Sequence, residues 1–266
     1  MTIASPHAEN ILFKIAETAR RRVEEAKVSR PLTMIEEEWR ALKPQPKDFR
    51  QAFKGPINII AEVKKASPSQ GEISDIDHML VAQEYLQNGA AALSVLTEPF
   101  FFKGKLAYLQ DIRGAFREAY ILEKDFIVDV YQIYEAALIG ADCILLIVAM
   151  LGEKQTQALF DAAKQIGISV LMEVHDREEL EIAKRVGARL IGVNNRNLKT
   201  MTISLDVSRE LISHMPPGAI AIAESGIKEA HEVKELAALG YKGFLVGTQL
   251  MQNGEPGKAL KELRGG

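Results

Sequence analysis

Two charged residues, Glu62 and Lys64, interrupt the apolar run Ile57-Asn58-Ile59-Ile60-Ala61-Glu62-Val63-Lys64. Strand side chains alternate faces. Ile60, Glu62 and Lys64 therefore point one way, and Ile59, Ala61 and Val63 the other. A carboxylate and an ammonium on one face of a buried strand are costly unless paired. They form either a structural ion pair or part of a chemical site. Further polar residues close other apolar runs: Lys124 after Ile121-Leu122-Glu123, Glu173 after Val170-Leu171-Met172, Asn194 with Arg196 just beyond, and Glu224-Ser225 after Ala221-Ile222-Ala223. Leu122 shares a face with Lys124, Leu171 with Glu173, and Leu190 and Gly192 with Asn194. If those faces point inward, acids, bases and amides meet at one mouth, a set suited to general acid–base chemistry.

The elements that must hold them recur rhythmically. β-Branched apolar runs lie near 57–64, 91–96, 120–124, 142–148, 168–174, 189–194, 219–224 and 243–247. Helical patterns such as Lys154–Ile166, Arg177–Val186 and Ala230–Leu239 fall between them, many ended by glycine (Gly140, Gly167, Gly187, Gly240). Continuous apolar runs alternating with helices predict a parallel sheet. Eight such units in about 210 residues predict an α/β fold, a single (β/α)8 TIM barrel; a doubly wound open sheet is the competing arrangement. Residues 1–50 predict a helical extension, residues 55–260 the barrel, and the whole of 1–266 one domain. Within the extension, Ser5-Pro6 can start a helix that buries Leu12, Ile15, Ala19, Val23 and Ala26, with Arg20 to Arg22 and Glu24 to Glu25 on a solvated face. Thr33 and Glu36 have capping-box spacing before a second helix. Phe49 and Phe53 can anchor a third piece onto the core.

The 266 residues carry a net charge of −3 and are 47% hydrophobic, with no basic excess for nucleic acid or a membrane surface. No segment approaches the length of a membrane span or a signal peptide, which predicts a cytoplasmic chain. The one cysteine, Cys143, lies inside an apolar run and reads as core. The five histidines lack metal-ligand spacing, so no metal is predicted.

Two glycine turns follow the last two strands: Glu224-Ser225-Gly226-Ile227 and Val246-Gly247-Thr248. Barrels frequently bind phosphate there, through close backbone approach and helix N-termini. Ser225 and Thr248 can add hydroxyls, and Ser67 after the first strand can supply a third contact.

Glu62-Val63-Lys64-Lys65-Ala66-Ser67-Pro68-Ser69, Leu122-Glu123-Lys124-Asp125-Phe126, Glu173-Val174-His175, Gly192-Val193-Asn194-Asn195-Arg196-Asn197-Leu198, Ala223-Glu224-Ser225-Gly226-Ile227 and Gly247-Thr248 together resemble indole-3-glycerol phosphate synthase. The resemblance covers the whole chain, with the extension lying over the barrel mouth. It implies ring closure, decarboxylation and dehydration of 1-(2-carboxyphenylamino)-1-deoxyribulose 5-phosphate in tryptophan biosynthesis, with no metal or organic cofactor. By resemblance, Lys124 is the general acid and Glu173 the acid/base of dehydration. Lys64 holds the substrate carboxylate, with Glu62 positioning it. Asn194 bonds a sugar hydroxyl and Glu224 orients the amino sugar. Ser67, Gly226, Gly247 and Thr248 line the phosphate pocket, and Phe102, Phe126, Leu198 and Leu245 pack on the anthranilate ring. The anthranilate-derived ribulose phosphate is the small-molecule partner, and other tryptophan-pathway enzymes are the implied protein partners.

A lysine acid is expected to have its pKa lowered by neighbouring cations and partial burial. Glu123, in place of a neutral or basic residue, departs from the pattern and is expected to face the helix layer and pair with a base there. A sugar-phosphate isomerase, a Schiff-base aldolase using Lys124 or Lys64, and a catalytically silent barrel remain as alternatives.

Overall fold

The computed structural model describes residues 8–67, 71–73, 75–198, 200–252 and 254–265. Eight parallel strands close into a barrel: β1 (Asn58–Val63), β2 (Ala92–Leu96), β3 (Ile121–Lys124), β4 (Cys143–Ile147), β5 (Ser169–Val174), β6 (Leu190–Asn194), β7 (Ile220–Glu224) and β8 (Gly243–Val246). β1 pairs with β2 on one side and β8 on the other, with Ile60 opposite both Ala92 and Leu245. That closure excludes the open doubly wound sheet. The two faces separate as alternation requires. Ile60, Leu122, Leu171, Leu190, Ile222 and Leu245 fill the barrel interior, while Ile59, Ala61, Val63, Leu93, Val95 and Ile121 pack beneath the helices.

The helices are α1 (Ala8–Ser29), α2 (Leu32–Leu42), α3 (His78–Gln87), α4 (Leu106–Ala115), α5 (Val130–Ile139), α6 (Val148–Ile166), α7 (Arg177–Val186), α8 (Asp206–Leu211), α9 (Ala230–Leu239), α10 (Thr248–Met251) and α11 (Pro256–Arg264). The expected bounds of α7 and α9 are met. α6 begins earlier than its apolar pattern suggested because a turn of helix precedes Gly152, whose φ of 65° breaks it. Gly140 ends α5 at φ 94°, a conformation that glycine adopts without a Cβ penalty.

The extension engages both ends of the barrel. Over the mouth, α1 buries Ile15, Ala19 and Val23 as its spacing predicts, while Leu12 and Ala26 on the same face are only half-buried. Arg22 is not on a solvated face, however. Its guanidinium donates to Asp125 Oδ2 at 2.7 Å, and Lys27 Nζ reaches Asp129 at 2.8 Å. Arg20 does remain exposed, paired with Glu17. The expected capping box at Thr33 does not form. Pro31, with φ already at −54°, is the cap of α2, so Thr33 lies within the first turn and Glu36 pairs with Arg40 instead. The Ser5-Pro6 start falls outside the described residues.

At the opposite end, a short 3-10 helix over Phe49–Ala52 plugs the barrel floor. Phe49 is fully buried in the interior cluster, and its backbone N donates to Ser169 Oγ at 3.1 Å. Phe53 packs beneath Gly243, where a Cβ would overlap its ring. Replacing a fully buried phenylalanine leaves a cavity that rigid neighbours fill poorly. Phe49→Ala is therefore expected to lower unfolding stability by about 3–5 kcal/mol, read from urea denaturation. A loss under about 1 kcal/mol would mean that the plug is dispensable.

Candidate active site

The inward faces deliver their polar residues to one cavity of about 260 Å³ at the C-terminal ends of the strands. Lys64, Glu62, Lys124, Glu173, Asn194, Arg196 and Glu224 all line it. At its centre Lys124 Nζ lies 3.8 Å from Glu173 Oε2 and 3.8 Å from Glu224 Oε2. Lys64 Nζ pairs with Glu62 Oε1 at 3.0 Å and sits 5.4 Å from the centre of the Phe102 ring. Phe102 packs against Phe126 at 5.8 Å, and Leu198 and Leu245 complete an apolar wall.

Charge states follow from this crowding. Burial opposes the Lys124 ammonium, but Glu173, Glu224 and Glu62 hold it well above the ordinary lysine value. The expected lowering is thus reversed: the neighbours are carboxylates, not cations. Burial also opposes ionisation of Glu62 and Glu173. Lys64 and Lys124 nevertheless hold Glu62 below the usual range, and His175 and Lys124 do the same for Glu173. Glu224 goes the other way, raised by burial and by the charge of Glu173. The centre therefore combines one ammonium, two carboxylates and one carboxyl that keeps its proton to higher pH.

Glycines make this packing possible. A Cβ at Gly192 would overlap Glu224 Oε1, and one at Gly247 would overlap Glu62 Oε1. Gly247, expected only as a place for close ligand approach, therefore also makes room for a carboxylate. Gly226 (φ 82°) and Ser225 (φ 64°) are both left-handed, the latter an uncommon state for serine. Asn195, which the sequence reading gave no role, stabilises this turn. Its Nδ2 donates to Glu224 O at 3.0 Å and Ser225 O at 3.1 Å, while its Oδ1 accepts from Ser208.

The expected anion sites differ in construction. Thr248 does open a helix, though α10 is a single turn. Ser225-Gly226 does not run directly into α9, which starts at Ala230. There Glu232 Oε2 already accepts from Lys228 N and Glu229 N. Any anion at this turn would meet loop amides and the Ser225 hydroxyl. Ser225, Gly226, Gly247 and Thr248 all line the cavity. The side chain of Ser67 lies outside what the structure describes, as do residues 68–70 of its loop.

Asn194 is engaged within the protein. Its Nδ2 donates to Glu173 Oε1 at 3.1 Å and its Oδ1 accepts from Arg196 N at 3.0 Å. The Arg196 guanidinium has no carboxylate partner among the described residues and is half-buried at the rim. Ile11, Leu12 and Ile15 of α1, and Met201 and Ile203 of the loop after β6, also line the mouth. Sequence spacing gave no sign of the last two. His175 lies 3.3 Å from Glu173, a contact its neighbouring position in the chain could have suggested. Among the described residues, no group of three or more His, Cys, Asp or Glu side chains is arranged to hold a metal.

Glu123 faces the helix layer, as expected, but among the described residues no base pairs with it, because Arg22 goes to Asp125. Thr97 Oγ1 lies 3.0 Å from Glu123 Oε1 and 2.9 Å from Asp125 Oδ2. One hydroxyl proton serves only one of these contacts, so a protonated Glu123 supplies the other. Burial and the Asp125 charge push Glu123 well above the usual carboxyl range. Its unfolded value is about 4.3, so above that pH folding must take up a proton and stability falls as pH rises. Glu123→Gln removes this slope. Its stability gain over the parent, measured by denaturant titration, is expected to be larger at pH 8 than at pH 5. Equal differences at both pH values would show Glu123 ionised in the fold.

A family model described as Indole-3-glycerol phosphate synthase matches residues 12–263. An indole-3-glycerol phosphate synthase of Campylobacter jejuni is 43% identical over 257 residues, 95% of this chain and 99% of that relative. One from Chromobacterium violaceum is 43% identical over 260 residues, 96% and 97% of the two chains. Among solved structures, 3-hexulose-6-phosphate synthase from Salmonella typhimurium superposes with a TM-score of 0.63 at 14% identity, covering 77% of this chain and 96% of the other. A mandelate oxidase variant reaches 0.60 at 15% identity, covering 78% and 70%. At those identities the structural matches speak for the barrel alone.

Proposed function

The chain belongs to the indole-3-glycerol phosphate synthase family, and from that premise we propose how its mouth carries out the reaction. It is a carboxy-lyase that closes the indole ring of 1-(2-carboxyphenylamino)-1-deoxyribulose 5-phosphate with release of carbon dioxide and water.

The reading of the site rests on one observation: a half-buried lysine 3.8 Å from each of two carboxyl groups at the base of a cation-rimmed cavity. Ring closure turns the ketone oxygen into an alkoxide as the ring carbon attacks. An alkoxide is more basic than an amine, so Lys124 can serve as general acid without a lowered pKa. Its firmly held proton suits a donor and disfavours a Schiff-base nucleophile, which must be neutral. Loss of carbon dioxide then restores aromaticity. Dehydration follows, with Glu173 as the acid/base and Glu224 as a neutral hydrogen-bonding group on the amino sugar.

Lys64, fixed by Glu62, meets the substrate carboxylate, and Arg196 adds a second cation at the rim. Asn194 bonds a sugar hydroxyl as well as Glu173. Ser67, Ser225, Gly226, Gly247 and Thr248 receive the phosphate, and Phe102, Phe126, Leu198 and Leu245 the anthranilate ring. Cys143 is fully buried in the barrel interior, which disfavours the cysteine acid–base pair of an isomerase.

We also propose that residues 1–50 and the barrel work as one domain, supported by the ion pairs of α1 to Asp125 and Asp129. A cytoplasmic location, with the flanking enzymes of tryptophan biosynthesis as partners, is supported by the charged, phosphorylated substrate. Among the described residues no helix is long and apolar enough to cross a membrane.

The test is to mix the protein with this substrate, without added metal, and follow indole fluorescence. A prompt rise is expected. Lys124→Ala and Glu173→Gln should each lower kcat by about 10² or more. Near-normal turnover in either variant removes that residue's role.

A further inference from the structure

The two oxygens of Glu173 have different surroundings. Oε1 accepts from Asn194 Nδ2 at 3.1 Å and faces His175 Nε2 at 3.3 Å, an ion-pair contact rather than an aligned hydrogen bond. Oε2 is buried, has no hydrogen-bond partner among the described residues and lies 3.8 Å from Lys124. His175 is held from behind. Glu179 Oε2 lies 3.0 Å from its Nδ1 and accepts from its backbone N at 2.8 Å. Glu179 is in turn fixed in the first turn of α7, where its backbone N donates to Asp176 Oδ1 at 2.9 Å.

We propose that His175 and Glu179 are positioning residues: with Asn194 they fix Oε1 of Glu173 and leave Oε2 as the oxygen that exchanges protons with the substrate. The proposal rests on the acid–base reading of Glu173 given above.

Ionised carboxylates only accept hydrogen bonds. A ring with a carboxylate at each nitrogen meets both demands only as the imidazolium. Burial opposes that charge, yet Glu173 and Glu179 push His175 up to about 10. A proton arriving on Oε1 would meet the Asn194 amide donor and the imidazolium charge, whereas Oε2, though buried, carries no hydrogen bond among the described residues and faces Lys124 at 3.8 Å. A free carboxylate presents either oxygen by rotation; one held at Oε1 by a hydrogen bond and an adjacent imidazolium presents only the other, already in register. Dehydration breaks the carbinol C–O bond, whose hydroxyl takes a proton and leaves as water, and a C–H bond on the adjacent carbon, whose proton must be accepted. Oε2 handles whichever of these protons Glu173 carries. The other charged groups near the ring are Asp176, Arg20 and Arg196, which line a second cavity together with His175 and Glu179. Lys124 lies beyond Glu173.

The test is the pH profile of kcat and KM for His175→Gln and Glu179→Gln from about pH 3 to about pH 9, beside the parent and Glu173→Gln, with folded fractions checked by circular dichroism at each pH. Without the imidazolium, Glu173 becomes harder to ionise. The acid limb of kcat in His175→Gln is expected to move up by about one pH unit or more, with kcat at pH 7 about tenfold lower and KM within about threefold of the parent. Glu179→Gln should shift the limb in the same direction by less. A loss that scales kcat equally at every pH, or no loss, overturns the proposal and leaves His175 as packing only. Retained turnover in Glu173→Gln would instead overturn the underlying reading of Glu173.

Discussion

The Lys124 ammonium, set among Glu62, Glu173 and Glu224, is the interaction that the rest of the mouth is built around. Each of these carboxyl groups is buried, and none would be tolerated there alone. Lys64 supports Glu62 and His175 supports Glu173, while Glu224 has only Lys124 within ion-pair reach among the described residues, so the three divide into two carboxylates and one group that holds its proton longer. That division is a property of the cluster, because each group's state depends on the others. It also sets charge states before any substrate arrives: Lys124 holds its proton, Glu173 is ionised and Glu224 keeps its proton to higher pH.

Holding such a cluster requires a rigid frame. Strand alternation aims the side chains, and the missing Cβ atoms of Gly192 and Gly247 leave room for two of the carboxylates. Asn195 fastens the ends of β6 and β7 together beside Glu224. From above, α1 grips Asp125, the residue next to Lys124, so the covering helix and the central lysine are mechanically linked.

Much of this was legible in the sequence because buried parallel strands read as apolar runs and period two assigns their faces. Ile60, Leu122, Leu171 and Leu190 point inward as that rule demands, and Lys64, Lys124, Glu173 and Asn194 follow them. What escaped was long-range partnership. Arg22 looked like solvated helix surface because its partner lies 103 positions away. Glu123 was rightly turned toward the helices, but the sequence could not say that the nearest guanidinium was already taken. The protonation of Lys124 was misjudged for the same reason: three carboxylates from three strands are neighbours only after the barrel closes. His175 stands two residues from Glu173 in the chain, but spacing alone does not say that its ring turns back onto that carboxylate.

The floor plug has a consequence for how this chain comes into being. Phe49 bonds to Ser169, Phe53 sits under Gly243, and Asn58 Nδ2 donates to Lys242 O at 2.7 Å. The early segment thus finds its partners only when the eighth strand exists. During vectorial synthesis on a ribosome, Phe49 and Phe53 must wait, uncovered, for most of the chain to emerge. Contacts of such long sequence separation form slowly and leave apolar surface open meanwhile. For a nascent chain of this design, the interval between making the floor and sealing it is the time of greatest exposure to aggregation and to chaperone capture.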